Sequence, residues 1–76
     1  MIVNKDTNPE RKLYYLGALV IEILFDSPEV DQDYLVVYRR LQEKENVSHA
    51  VFSLTLDWLY ILGVIDSNAG RITRCF

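Results

Sequence analysis

Val64-Ile65-Asp66-Ser67-Asn68-Ala69-Gly70-Arg71-Ile72-Thr73-Arg74-Cys75-Phe76 reads as two β-prone segments around a turn, a β-hairpin. Valine, isoleucine and threonine suit a pleated, half-buried surface, while Asp66 to Gly70 hold residue types that tolerate a tight reversal. Side chains alternate between the two faces of a strand. Ile72, Arg74 and Phe76 therefore share one face, and Arg71, Thr73 and Cys75 the other.

Upstream of this hairpin, Ser48 is an N-cap, with Val47 and Phe52 at the two positions of a hydrophobic staple. A third helix runs from there to Leu62, and Gly63 supplies the left-handed residue that ends it. Val51, Phe52, Thr55, Leu56, Trp58, Leu59 and Leu62 form its main face. Leu54 and Ile61 widen the apolar arc to about 220°, whereas burying one face needs only about 100°. Ser53, Asp57 and Tyr60 are the polar remainder.

A second helix is expected over residues 32–45, capped by Asp31 and closed by Asn46. Tyr34, Val37, Tyr38 and Leu41 give it one buried face, with Arg39, Arg40 and Glu43 pointing away. The first helix starts at Thr7-Asn8-Pro9-Glu10, where Thr7 and Glu10 have capping-box spacing and Pro9 suits the first turn. It runs to about Phe25 and stops before Ser27-Pro28. Leu13, Leu16, Gly17, Val20, Ile21, Ile23 and Leu24 make it apolar over about 260° of its circumference, leaving Arg11, Tyr15 and Glu22 as a narrow wet stripe. Such a helix is central in the fold or covered by a partner. Met1 to Val3 is free to add a third strand. The expected fold class is mainly α with a small β part: a winged helix-turn-helix-like domain of three helices and a C-terminal β-hairpin wing.

The 76 residues make one core and one domain, residues 1–76. Half are apolar and a quarter charged, so the chain is globular rather than disordered. A core this small gains stability from a partner subunit. The single cysteine, Cys75, fits a reducing compartment. The N-terminus lacks the basic-then-apolar layout of a signal peptide, and the longest apolar run, Leu13 to Phe25, is interrupted by Glu22 and too short to span a bilayer. A cytoplasmic protein with no membrane contact is expected. The net charge of −3 argues against a nucleic-acid binder.

A winged helix that reads DNA places Arg, Lys, Asn or Gln of its third helix at base edges. Between Ser48 and Gly63 none of these residues occurs, and Asp57 would repel the phosphate backbone. Arg71 and Arg74 on the wing are the weak candidates for nucleic-acid contact; like Arg39 and Arg40, they also suit a simple solvated surface. His49, the only histidine, has no Cys or carboxylate at metal spacing and reads as a solvated helix-start residue. Cys75 reads as a half-buried strand residue, and Asp31, Asp33, Glu43 and Glu45 as cap and surface carboxylates. The three glycines are isolated, so no phosphate-binding loop is present. No catalytic, metal or cofactor site is expected. What remains is an excess of apolar and aromatic residues, with Trp58 read as core. Tyr15, Leu54, Asp57, Tyr60 and Ile61 are the candidate protein-interaction residues.

Three stretches carry a family resemblance: Asn8-Pro9-Glu10-Arg11-Lys12-Leu13-Tyr14-Tyr15-Leu16-Gly17-Ala18, Leu56-Asp57-Trp58-Leu59-Tyr60-Ile61-Leu62-Gly63, and the short basic wing ending in Cys75-Phe76. Together they resemble the small middle components (type six) of ABC-three-component systems, over nearly the whole chain. The resemblance implies a bacterial anti-phage or mobile-element defence system of Lamassu-like organisation. There an SMC-like ABC ATPase works with an effector, often a nuclease, and the middle component bridges or regulates them. It implies no catalytic residues, and DNA is met through the partner subunits. A second reading is a small winged-helix transcriptional regulator that binds DNA through Arg71 and Arg74; a third is a homodimer formed through helix 1.

Overall fold

The first helix carries the core. The computed structural model describes residues 9–76, in which α1 spans Pro9–Asp26. Leu16, Val20, Ile23 and Leu24 are fully or nearly fully buried on it, and Leu19 and Ile21 pack against the same cluster. The wide apolar surface of α1 is thus the mark of a central helix, packed against both the second and the third helix. Thr7 and Met1 to Val3, the expected half of the capping box and the expected third strand, lie outside the described residues.

Among the described residues a third strand lies just after α1. Residues expected to begin the second helix form a short strand, β1 (Asp31–Asp33), and α2 covers Tyr34–Lys44. The N-cap is Asp33, whose carboxylate accepts from the Leu35 N–H, in place of Asp31. The cause is a competing demand for pairing: β1 lies antiparallel to the last strand, with Gln32 opposite Ile72, and the Tyr34 N–H donates to the Gly70 carbonyl. The buried Gln32 amide donates to Ser27 Oγ and to the Asp31 carbonyl, so this polar side chain enters the interior with its donors satisfied. At its other end α2 stops at Lys44, with Glu45 extended, two residues short of Asn46.

Helix α3 (His49–Ile61) follows the expected outline. Ser48 Oγ accepts from the Val51 N–H, and Gly63 takes the left-handed conformation (φ 80°) after the helix. Val47 and Phe52, the staple pair, are both buried. Phe52 lies against Tyr34 and Tyr38 of α2, with ring centroids 5.2 and 5.0 Å away. Thr55, also buried, donates its hydroxyl to the Val51 carbonyl one turn back.

The hairpin consists of β2 (Ile65–Asn68) and β3 (Arg71–Arg74), with sheet order β1-β3-β2, all antiparallel. Asp66, Ser67 and Asn68 were expected in the turn but are strand residues, because the reversal needs only Ala69 and Gly70. Both have positive φ (52° and 80°), the primed geometry that matches the twist of a two-residue hairpin. Ile65 and Ile72 turn inward and close the core. The sequence of elements α1-β1-α2-α3-β2-β3 is a winged-helix-like layout, mainly helical with a small sheet.

One contact is tight enough to test. A Cβ built on Gly17 of α1 would lie 2.7 Å from Cζ3 of Trp58, so the absence of a side chain lets α3 approach α1. Gly17→Val is expected to cost about 2 kcal/mol by overpacking this contact. Urea unfolding followed by the fluorescence of the single tryptophan measures the loss, and a double variant with Trp58→Ala, followed by circular dichroism, should recover part of it.

Candidate protein-interaction surface

The helix-turn-helix arrangement gives α3 one face inside and one outside. Phe52, Thr55, Leu56 and Leu59 are buried, which turns Leu54 and Ile61 directly away from the core. They are 58% and 79% exposed, values that settle them as surface and not core. Asp57 lies between them, also exposed, with no hydrogen-bond or ion-pair partner among the described residues. Leu62, expected on the inner face, is exposed as well, because the helix ends at Ile61 and the chain leaves toward β2. Val51 is marginally exposed. Trp58, read as core, is half-buried: its ring covers Gly17 and meets Tyr14 edge-on at 5.0 Å.

The five candidates do not form one patch. Leu54, Asp57 and Ile61 share the outermost line of α3. Tyr60 is rotated toward the sheet, where it borders a groove of about 320 Å³ with Tyr34, Ser53, Asp57, Arg71 and the buried Ile65 and Ile72. Tyr15 stands apart. Its neighbour Tyr14 takes the side of α1 that meets Trp58, about 100° around the helix, and Lys12 Nζ lies 6.0 Å from the Tyr15 ring centroid.

The arginines of the wing are engaged within the fold. Arg74 donates to the carbonyls of Leu24 and Phe25, at 3.3 and 3.4 Å, and so meets the C-terminal carbonyls of α1 with a positive charge. Phe76 stacks on Phe25 beside it, so Ile72, Arg74 and Phe76 act on one side of the wing. Arg71 forms a 2.9 Å ion pair with Asp31 across the β1–β3 edge. Its guanidinium lowers the Asp31 carboxyl below the ordinary value of 3.8, chiefly through the hydrogen bond. A lowered carboxyl favours the folded state when ionised, so this contribution is present at neutral pH and is lost as the pH falls through and below about 4. Acid unfolding of the unmodified chain and of Arg71→Ala should therefore differ by a constant amount above that range and converge below it.

Two residues depart from their expected roles. His49 is exposed, yet its Nε2 lies 2.7 Å from the Tyr34 hydroxyl and its ring meets Tyr34 and Tyr38 edge-on, because the turn between the helices brings α3's first residue over α2. Cys75 is exposed and falls just beyond β3, which ends at Arg74, so it is not the half-buried strand residue expected. A third residue, Gln42, carries no signal in the sequence. Its amide donates to the Val47 carbonyl and to the Tyr38 hydroxyl while accepting from the Val47 N–H, which ties α2 to the turn.

The family model of the ABC-three component (ABC-3C) system Middle Component 6 matches residues 2–75. The chain belongs to this family. The match takes in every described element of the fold, from α1 to the wing. No curated protein and no solved structure matches the chain. Among the described residues of this Middle Component 6 chain, no three His, Cys, Asp or Glu side chains gather where they could hold a metal ion, and no helix is long and apolar enough to cross a membrane.

Proposed function

We propose that this Middle Component 6 chain is a non-catalytic adaptor of a bacterial, Lamassu-like anti-phage defence complex, working in the cytoplasm. It docks on the SMC-like ABC ATPase, the effector nuclease, or both, and restrains the effector until foreign DNA is sensed. DNA is met through the partner subunits. The observation that carries this reading is the outer face of α3, where Leu54 and Ile61 present branched aliphatic side chains to solvent at the position a DNA-reading winged helix fills with polar and basic ones. Exposed apolar residues of this size mark contact with protein.

The experiment is co-expression of the tagged chain with the ATPase and effector encoded beside it, followed by affinity purification. At least one of the two is expected to co-purify. The Leu54→Asp/Ile61→Asp variant should fold with unchanged stability, since neither side chain is buried, and should lose the partner. A chain that elutes as a stable monomer and ignores both proteins overturns the reading.

A further inference from the structure

The outer residues of α3 repeat with the spacing of a helix–helix seam. Ala50, Leu54, Asp57 and Ile61 follow one another at intervals of four, three and four, and all are exposed. Steps that alternate between three and four keep a line of side chains on one side of a helix and facing a second helix. Leu54 and Ile61 occupy one set of seam positions, Ala50 and Asp57 the other. Val51 and Trp58 border the line toward α1, and Ser53 and Tyr60 border it toward the sheet. This is a seam about three turns long on a helix whose opposite side is already in the core.

Asp57 selects the occupant. It stands in the middle of an apolar line with no ion-pair partner among the described residues, and Arg71, which lines the same groove, is taken by Asp31, so a partner that covers the line must neutralise it or bear a large desolvation penalty. A second copy of α3 cannot do so, because the segment from Ser48 to Gly63 contains no Lys or Arg and self-pairing would set acid against acid. Addition of a partner strand to the β2 edge is also opposed, since the Asp66 carboxylate already accepts from the Ser67 N–H. We infer that the outer seam of α3 receives an amphipathic helix of a different protein, with a Lys or Arg on its apolar face opposite Asp57.

This inference rests on the adaptor reading and refines it. The test uses the full chain, co-expressed with the ATPase and effector, with a photo-crosslinking amino acid at position 54 or 61, and at position 39 on α2 as control. Positions 54 and 61 are expected to crosslink to a helical segment of a partner, and position 39 is not. Asp57→Lys should weaken the complex by about tenfold or more, since a like charge is brought into the contact. Exchanging the basic residue at the crosslink for Glu should restore binding to Asp57→Lys alone. Crosslinks from position 54 to a second copy of the chain, or to a partner segment without a basic residue, overturn the inference. So does a complex that forms normally with Asp57→Lys; the adaptor reading survives that result. Failure of the unmodified chain to bind either partner overturns both.

Discussion

Phe52→Ala should unfold most of the population near physiological temperature, with a loss of about 4 kcal/mol. Phe52 is completely buried and joins three parts of the molecule: its ring meets Tyr34 and Tyr38 of α2, and its backbone is in the first turns of α3, above the turn at Val47. Truncation removes transfer free energy and leaves a cavity bounded by two half-buried tyrosines. Both tyrosines also hold polar contacts, Tyr34 with His49 and Tyr38 with Gln42, which restrict how far they can move to fill it. A domain of this length has a total stability of about 4–11 kcal/mol, so the loss takes a large share of it. A thermal melt by circular dichroism should show a midpoint about 20 °C lower. Leu54→Ala, on the other side of the same helix, should leave the midpoint nearly unchanged.

This contrast between two apolar residues on α3 shows what could be read from sequence. Helical periodicity located all three helices, since their apolar positions recur over many residues and the caps at Ser48 and Gly63 mark the ends of α3. It did not locate β1. A strand of three residues has no measurable period, and two of its residues are aspartates, which have poor intrinsic strand preference. What makes residues 31–33 a strand is the free edge of β3, about forty residues later, together with Ser27 receiving the Gln32 amide. Both are long-range or side-chain effects that a local pattern does not contain. For the same reason the cap at α2 moved from Asp31 to Asp33: each has the right side chain, and the choice depends on Arg71 taking Asp31.

The interaction residues were legible only in part. An apolar arc wider than a single buried face announces surplus, and Leu54 and Ile61 are that surplus. The arc does not say which of its edges stays outside, so periodicity alone places Leu62 inward and Trp58 in the core. Trp58 remains half-open because Gly17 offers it a shallow seat and not a pocket. The wing arginines had a wide choice of roles in sequence. Arg71 chose Asp31 and Arg74 the end of α1, and these are contacts between residues forty and fifty positions apart.

Gln42 carries the second large effect, through the direction in which α3 leaves α2. Its amide makes a two-way bond with the Val47 peptide groups, and Val47 is buried. Gln42→Ala strips a donor from the Val47 carbonyl and an acceptor from its N–H. The Val47 N–H is left unpaired and its carbonyl keeps only the 3.4 Å bond from the Tyr38 hydroxyl, which should cost about 1–2 kcal/mol, measured by urea unfolding. Gln42→Glu separates the two halves of the bond. Its carboxylate can still accept from the Val47 N–H but offers no donor to the carbonyl, so the variant should be destabilised at neutral pH. A Gln42→Glu chain as stable as the original at neutral pH would show that the amide donor holds nothing. If the donor does hold the turn, Gln42→Ala should also weaken partner binding through Leu54 and Ile61 without touching either, since the turn at Val47 sets which way their helix faces.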